Sequence, residues 1–509
     1  MKVRLFFEGA GVAILLLIIF LWGFLSPYRM VVYHNPRPVS TIAGGLAIDL
    51  FAVSVLCAVL LALLDRYDPR HKSIVWAGIL IWLALKIVEI ATFFLSYYDT
   101  EILVTHRMRM AIQIVVFATV LLIWWRSRSN FQKCVQAARV GFALIGCCIL
   151  WMLPQLILIA VHTPPKTLTA FAKPEIQNAS SSPDRIVWIL LDELSYDQVF
   201  DHRQPGINLP RLDQLKKQSV SFANVQPAGY YTDIVIPSLL LGRTLNGIRS
   251  SLRGDLYVHQ AGASQWELFD PNATLFKNAQ DLGWSTGVSG WFNPYCHILQ
   301  GVLDSCYWQY INFFPLHLSD ENSTLANTLA FSYFVHSSNA IQTVNDAHAQ
   351  EYKDLMKHSL SLLQDESIRF AFIHLPVPHP PGIYDRRTNT FSRHGTYLDN
   401  LVLTDQALGT LLDTLEKTAS APHTTLIVSS DHSWRVGMWR SDIGWTKEEE
   451  RASGGKFNPR PVLLIHFPGE NSGKTKTAPF AELKTHELIQ AMLRRELRSQ
   501  ADLSAWLSK

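Results

Sequence analysis

The stretch RIVWILLDE, residues 185–193, runs six apolar residues from Arg185 into two carboxylates, Asp192 and Glu193. A run that is apolar at every position has no solvated face. It reads as a strand buried on both sides, the pattern of a parallel sheet covered by helices. Three further runs share the form: RFAFIHLP (369–376), TTLIVSSDH (424–432) and RPVLLIHF (460–467). Between the second and third lies YLDNLVLTDQALGTLLDTLEKT (397–418), with Leu398, Leu401, Leu408, Leu411, Leu412 and Leu415 at helical spacing. Alternating strands and helices predict an α/β domain with a mostly parallel central sheet. Ligands of such sheets bind beyond the carboxyl ends of the strands. That is where Asp192, Glu193, His374, His379, Asp431 and His432 fall, with His466 closing the fourth run.

The N-terminal third has a different character. Five apolar segments, 9–26, 43–64, 75–96, 109–125 and 140–161, each approach the length needed to cross a bilayer as a helix, about 17–25 residues. The expected organisation is a five-helix transmembrane region (1–161), a Pro-, Ser- and Thr-rich linker (162–184), a catalytic domain (185–480) and a C-terminal helix and tail (481–509). Lys2, Arg4, Arg66, Arg70, Lys72, Arg126, Arg128, Lys133 and Arg139 flank one side, against Arg29, Arg37, Arg107 and Arg109 on the other. That asymmetry puts the N-terminus in the cytoplasm and the catalytic domain on the periplasmic or extracellular side. Lys86 and Glu89, inside the third segment, are spaced to pair with each other. The formal net charge of +3 over 509 residues, without a dense basic run, points away from a nucleic-acid partner. Cys296 and Cys306, ten apart in the external domain, are the two thiols available there for a disulfide.

Carboxylates and imidazoles gathered at one sheet edge suit a divalent cation, Zn or Mn first and Mg or Ca next. Each pair alone has a plainer explanation, since an Asp–Glu after a strand also caps a helix. A cation needs a reacting group beside it, and GYYTDIVIPSLLLGR (229–243) offers Thr232 at the start of an apolar helical run. A helix N-terminus presents unpaired N–H groups to an anion. Thr232 therefore reads either as the N-cap residue or as a nucleophile held at a helix start. Asp405, on the apolar face of its helix, is expected to hydrogen-bond a neighbouring strand end. The aromatic residues of 284–314 either cover acyl chains or pack as core.

Together these motifs resemble the sulfatase and alkaline phosphatase superfamily. Five spans followed by an external domain are similar to lipoteichoic acid synthases and bacterial phosphoethanolamine transferases. In the latter the nucleophilic threonine precedes a proline by five positions, as Thr232 precedes Pro237. His374 and His379, followed by PPGIYD, resemble the histidine pair of those enzymes, and SSDHSW resembles their Ser-Asp-His-Gly. The resemblance implies a divalent metal held by Glu193, Thr232, Asp431 and His432, with Asp192 a second-tier ligand. It implies that His379 contacts the transferred anion or protonates the leaving group, and that Thr232 attacks phosphorus. A histidine usual about a dozen residues after Asp-His is missing here, leaving His374, Arg435, Lys456 or His466 to contact substrate. The Cys/Ser-x-Pro-Ser/Ala-x-Arg signature of formylglycine sulfatases is also missing, because Val235 stands where its cysteine would be. The expected activity is transfer or hydrolysis of a phosphoethanolamine- or phosphoglycerol-type headgroup from a membrane lipid or to an envelope glycan. Two alternatives are a sulfuric- or phosphate-ester hydrolase of the same fold and a catalytically idle membrane scaffold.

Overall fold

The computed structural model describes residues 3–34, 39–98, 106–162, 183–310, 338–440 and 444–508. Nearly all of the 162–184 linker lies outside the described residues. Among the described residues, eight strands form the central sheet: β1 (Arg185–Leu191), β2 (Val220–Phe222), β3 (Thr286–Trp291), β4 (Ser305–Gln309), β5 (Phe370–Leu375), β6 (Thr424–Ser429), β7 (Leu463–His466) and β8 (Lys474–Lys476). Their spatial order is β8-β2-β7-β6-β1-β5-β3-β4. All seven residues of β1 are buried. Ile186, Trp188 and Leu190 enter the core on one face, Val187, Ile189 and Leu191 that on the other. The continuous apolar run is thus the signature of a strand covered twice.

β1 sits between β6 and β5, parallel to both, with Leu190 opposite Ser429 and His374. This register brings three chain exits to one edge. β7 is antiparallel to β6, pairing Leu463 with Ser429 and His466 with Leu426. His466 therefore stands at the opposite edge, where its Nδ1 lies 3.0 Å from the carbonyl oxygen of Gln218. This corrects the expectation that the fourth run delivers a histidine to the site.

Among the described residues, seven helices precede the sheet: α1 (Val3–Leu25), α2 (Met30–His34), α3 (Val39–Leu64), α4 (Pro69–Tyr98), α5 (His106–Arg126), α6 (Arg128–Gly146) and α7 (Ile149–His162). Among the described residues, three stretches are long and apolar enough to cross a membrane: Ile42–Leu64, Pro69–Ala91 and Arg128–His162. Met110–Arg126 is apolar but shorter. These stretches are compatible with a membrane anchor. The basic segment 126–139, read from sequence as a loop, is largely helix. In α6, Phe131, Val135, Ala138 and Phe142 are buried, while Arg139 reaches Glu8 Oε2 and Asp65 Oδ1, each at 2.9 Å. Gly11 permits the close α1–α6 contact, since a Cβ there would lie 1.9 Å from the Phe142 carbonyl oxygen. Lys86 Nζ pairs with Glu89 Oε1 at 3.1 Å.

Trp284, Trp291, Tyr295 and Trp308 are buried in the core, which settles their role as packing. Residues 311–314 of that aromatic stretch lie outside the described residues. Cys296 and Cys306 are joined in a disulfide.

Three helices frame the site edge: α8 (Pro210–Gln218), α9 (Thr232–Leu241) and α10 (Tyr397–Leu415). Asp405 on α10 accepts hydrogen bonds from the backbone N–H groups of Arg211 (3.2 Å) and Leu212 (2.8 Å). It serves the start of α8, whose own N-cap Leu209 makes no side-chain bond, rather than a strand end. Removing a cap of this kind costs about 1–2 kcal/mol. Asp405→Ala should lower the thermal midpoint accordingly and leave kcat unchanged, as read by thermal unfolding beside a turnover assay.

Candidate active site and metal centre

The opening turn of α9 places the Thr232 hydroxyl. The N-cap is Tyr231, with extended backbone and no side-chain cap, and Thr232 is the first helical residue. Thr232 Oγ1 donates to Asp192 Oδ2 at 3.2 Å and lies 3.2 Å from His432 Nε2. The hydroxyl is thus turned into the site and does not cap the helix. Gly242, at φ 65°, ends α9; a Cβ there would lie 2.6 Å from the His486 ring.

Asp192 follows β1 and Asp431–His432 follow β6, so adjacent parallel strands deliver them together. One ligand atom from each of Asp192, Asp431 and His432 lies within 4.8 Å of the others, and all three residues are 0 % exposed. Asp192 Oδ1 and Asp431 Oδ2 are buried without a hydrogen-bond partner. Burial, then the charge of Asp431, pushes the Asp192 carboxyl well above the usual carboxylate range. His432 Nδ1, 3.2 Å from the Ser433 carbonyl oxygen, carries the proton for that bond. Its Nε2 lone pair then faces the acids. Burial, reinforced by Arg435, holds this imidazole neutral. Two orphaned carboxylate oxygens and an unprotonated imidazole nitrogen are the donor set a divalent cation takes, and the residues fit such an ion.

Around this trio stands a second layer. His374, also 0 % exposed, directs Nε2 to Asp192 Oδ2 (3.3 Å) and receives the Tyr295 hydroxyl at Nδ1 (2.9 Å). Burial lowers its pKa to about 4, so it is a neutral support for Asp192. Glu193 is not in the trio. Its backbone adopts φ 63°, a left-handed conformation uncommon outside glycine. The turn is tied by its N–H to Asp431 Oδ1 (3.3 Å) and by its carbonyl to the Tyr397 hydroxyl (2.8 Å). Consequently its carboxylate is carried away from Asp192, to Arg435 Nε and to Trp439 Nε1 (2.9 Å). Asp192 stands in the place expected of Glu193. Burial still pushes Glu193 up to about 7, against the pull of Arg435.

Arg435, 6 % exposed, is the cation beside the opening of α9. Its Nη1 lies 3.5 Å from the Tyr230 carbonyl oxygen and its Nη2 donates to His379 Nε2 at 3.0 Å. Burial pulls its pKa down, but Glu193 and Asp192 outweigh that and hold it above the ordinary value. His379 has its Nδ1 on the Pro380 carbonyl oxygen, and burial with nearby Arg435 keeps the ring neutral. With its N–H committed to backbone and its lone pair to Arg435, it has no proton to give a leaving group. The geometry makes it a support for Arg435. Lys456 is exposed, next to Phe457, whose ring meets that of Tyr230 at 5.6 Å.

Sequence reasoning missed several residues that shape the edge. Tyr397 ties the Glu193 turn, and Asn400 Nδ2 holds the His379 loop through the carbonyls of His379 and Pro381, each at 3.1 Å. Both sit in the YLDN opening of α10, so the motif was visible and its duty was not. Trp291 packs its ring 5.1 Å from that of His379, and Trp439 packs its ring 5.2 Å from it.

A buried acid–imidazole centre beside a hydroxyl, at the carboxyl edge of a parallel sheet, is the setting of a metal-dependent esterase. A family model for sulfatases matches residues 184–494, more than half of the chain, and the chain belongs to the sulfatase family, a family of hydrolases. Three of the solved structures similar to it illustrate the range. Ps i-CgsB in complex with k-i-k-neocarrahexaose is 17% identical, with 63% of this chain and 74% of that one covered and a TM-score of 0.43. The phosphonate monoester hydrolase of Agrobacterium radiobacter is 13% identical, with 58% and 71% covered and a TM-score of 0.35. Murine ectonucleotide pyrophosphatase/phosphodiesterase 5 is 13% identical, with 61% and 95% covered and a TM-score of 0.36. No match was found among curated proteins.

The charge arrangement dictates a pH response. Asp192 has a folded pKa above its unfolded value, so the metal-free fold binds a proton more tightly than the unfolded chain. Its stability contribution is present at low pH and is lost as pH rises from about 4 upward. Asp192→Asn should raise the melting temperature of chelator-treated protein at pH 7, by about 2–4 °C for each kcal/mol of repulsion relieved. The same substitution should abolish the rise that added Zn or Mn gives the native chain. Thermal unfolding with and without metal reads both.

Proposed function

We propose that the protein is a membrane-bound, metal-dependent sulfatase-family enzyme that transfers or hydrolyses a phosphate-linked headgroup of the phosphoethanolamine or phosphoglycerol type, with Thr232 as nucleophile. The observation that carries this reading is the Thr232 hydroxyl, 3.2 Å from both Asp192 Oδ2 and His432 Nε2. Thr232 Oγ1 forms a bond to phosphorus and passes its proton to Asp192 Oδ2, while the leaving-group oxygen departs with the electron pair of its P–O bond. An acceptor hydroxyl or water then attacks the phosphothreonine; its P–O bond to Thr232 breaks with the electron pair on Oγ1, which recovers the proton from Asp192, and the acceptor's proton passes to solvent with the departed oxyanion, so that one difficult displacement becomes two easier ones. A divalent cation held by Asp192, Asp431 and His432 would lower the hydroxyl's pKa and offset the charge of the anionic ester. Arg435 supplies a fixed positive charge on the other side, held by Glu193.

Five spans in residues 1–161, a cytoplasmic N-terminus and a catalytic domain at 185–480 on the periplasmic or extracellular side complete the proposal. The membrane segments support a lipid or envelope-glycan substrate, because an anchor confines the site to the bilayer surface. Water as sole acceptor is the second reading, and kinship with sulfatases favours it.

Thr232→Ala should retain bound metal and lose at least about 1,000-fold in kcat on phosphodiesters. Intact-mass analysis of the native chain during turnover should find a phosphoryl adduct on Thr232. Unaltered turnover in Thr232→Ala would sink the assignment.

A further inference from the structure

The seven residues that follow β5, PVPHPPG (376–382), carry His379 to the site, and four of them are prolines. Proline has no N–H, so this loop has few donors of its own and its carbonyls need donors from elsewhere. Buried side chains on two helices supply them. From α10, Asn400 Nδ2 reaches the carbonyl oxygens of His379 and Pro381. From the helix Ser338–Gln364, Asn345 Nδ2 donates to the Gly382 carbonyl at 2.9 Å. His348 on the same helix directs Nε2 to the carbonyls of Pro376 (3.1 Å) and His379 (3.3 Å). A carbonyl oxygen only accepts, so this nitrogen carries an N–H toward the loop. His348 is 4 % exposed, and Glu351 backs its ring. Glu351 Oε2 lies 3.3 Å from His348 Nδ1 and accepts from Trp291 Nε1 at 3.1 Å. The Trp291 ring packs on those of both His348 and His379, at 5.4 and 5.1 Å.

The place of this loop matters because of what His379 holds. Arg435 is gripped at Nε by Glu193 and at Nη2 by His379 Nε2. Two anchors fix both the place and the plane of a guanidinium. With His379 displaced, Glu193 alone would orient it. His379 keeps its Nδ1 on the Pro380 carbonyl of its own loop, so the ring moves with the loop backbone. Without the His348 donor, the buried Pro376 carbonyl is either left unpaired or drawn elsewhere, and the loop goes with it.

We propose that His348 is a positioning residue: its Nε2–H fixes the loop 376–382, and through His379 that loop sets the Arg435 guanidinium against the anionic group of the ester. The inference rests on Arg435 meeting that anion, as in the function proposed above. It gives the helix Ser338–Gln364, which contributes nothing to the Asp192, Asp431 and His432 trio, a share in holding the ester.

The test uses the full chain, purified in detergent and loaded with metal, acting on bis-p-nitrophenyl phosphate. His348→Gln, whose amide nitrogen extends nearly as far as Nε2, should keep kcat/KM within about threefold of native. His348→Asn, too short to reach the loop, and His348→Met, which has no donor, should each lose about tenfold, the scale of one buried carbonyl left without its donor. Bound metal should be unchanged in all three. In an Arg435→Gln background, itself slowed, His348→Asn should cost nothing further, because the group it acts through is gone. Native kcat/KM in His348→Asn and His348→Met, an equal loss in His348→Gln, or losses that multiply with Arg435→Gln overturn the positioning role. Failure of both His348→Asn and His348→Met to fold overturns it too, since His348 would then serve the core alone. The two claims separate cleanly: a slowed Arg435→Gln beside native His348→Asn and His348→Met removes the positioning role alone. An Arg435→Gln as fast as the native chain overturns both.

Discussion

Two carboxylates that cannot both stay charged in isolation govern this structure. Asp192 and Asp431 are wholly buried, each with an oxygen lacking any hydrogen-bond partner. Desolvating a charge costs far more than a surface ion pair returns, unless an opposite charge is fixed beside it. The fold nevertheless goes to some trouble to bring these two together. β1 and β6 are adjacent, parallel and in register to their last residues, so the two exits coincide. The strain at Glu193 and the Tyr397 hydroxyl hold the first exit, and Ser430, whose hydroxyl bonds the Leu194 N–H (2.8 Å) and the His432 carbonyl (2.7 Å), holds the second. A divalent cation held by Asp192, Asp431 and His432 would turn the repulsion into a binding site.

Charge in the outer layer follows from the same economy of dielectric. Arg435 and Glu193 neutralise each other while the guanidinium keeps one edge on His379 and one on the Tyr230 carbonyl. The buried His374 and His432 and the half-buried His379 are all held neutral, chiefly by desolvation. The site thus offers one imidazole lone pair, that of His432, to a cation and one fixed guanidinium to an anion, while the lone pairs of His374 and His379 are taken by the Tyr295 hydroxyl and Arg435.

Much of this was legible in the sequence where a signal was local. Unbroken apolar runs named the strands β1, β5 and β6 because burial on both faces leaves nothing else for those positions to be. Acids and histidines after the runs named the site, because a parallel sheet sends every such exit to one edge. The direction of β7 was not legible: an apolar run carries no arrow, and a return against β6 takes His466 to the far side. Nor was the choice between Asp192 and Glu193, neighbours whose side chains are separated by one left-handed residue. In α6 the basic residues masked a helical stripe of Phe131, Val135, Ala138 and Phe142.

The most direct measurement is the anomalous diffraction of a crystal of the full chain grown with Zn or Mn and collected at that metal's absorption edge. The account predicts a peak bounded by Asp192, Asp431 and His432, within reach of Thr232 Oγ1. A peak at Glu193 and Arg435 instead, or a site near Thr232 without metal at saturating concentration, would contradict it.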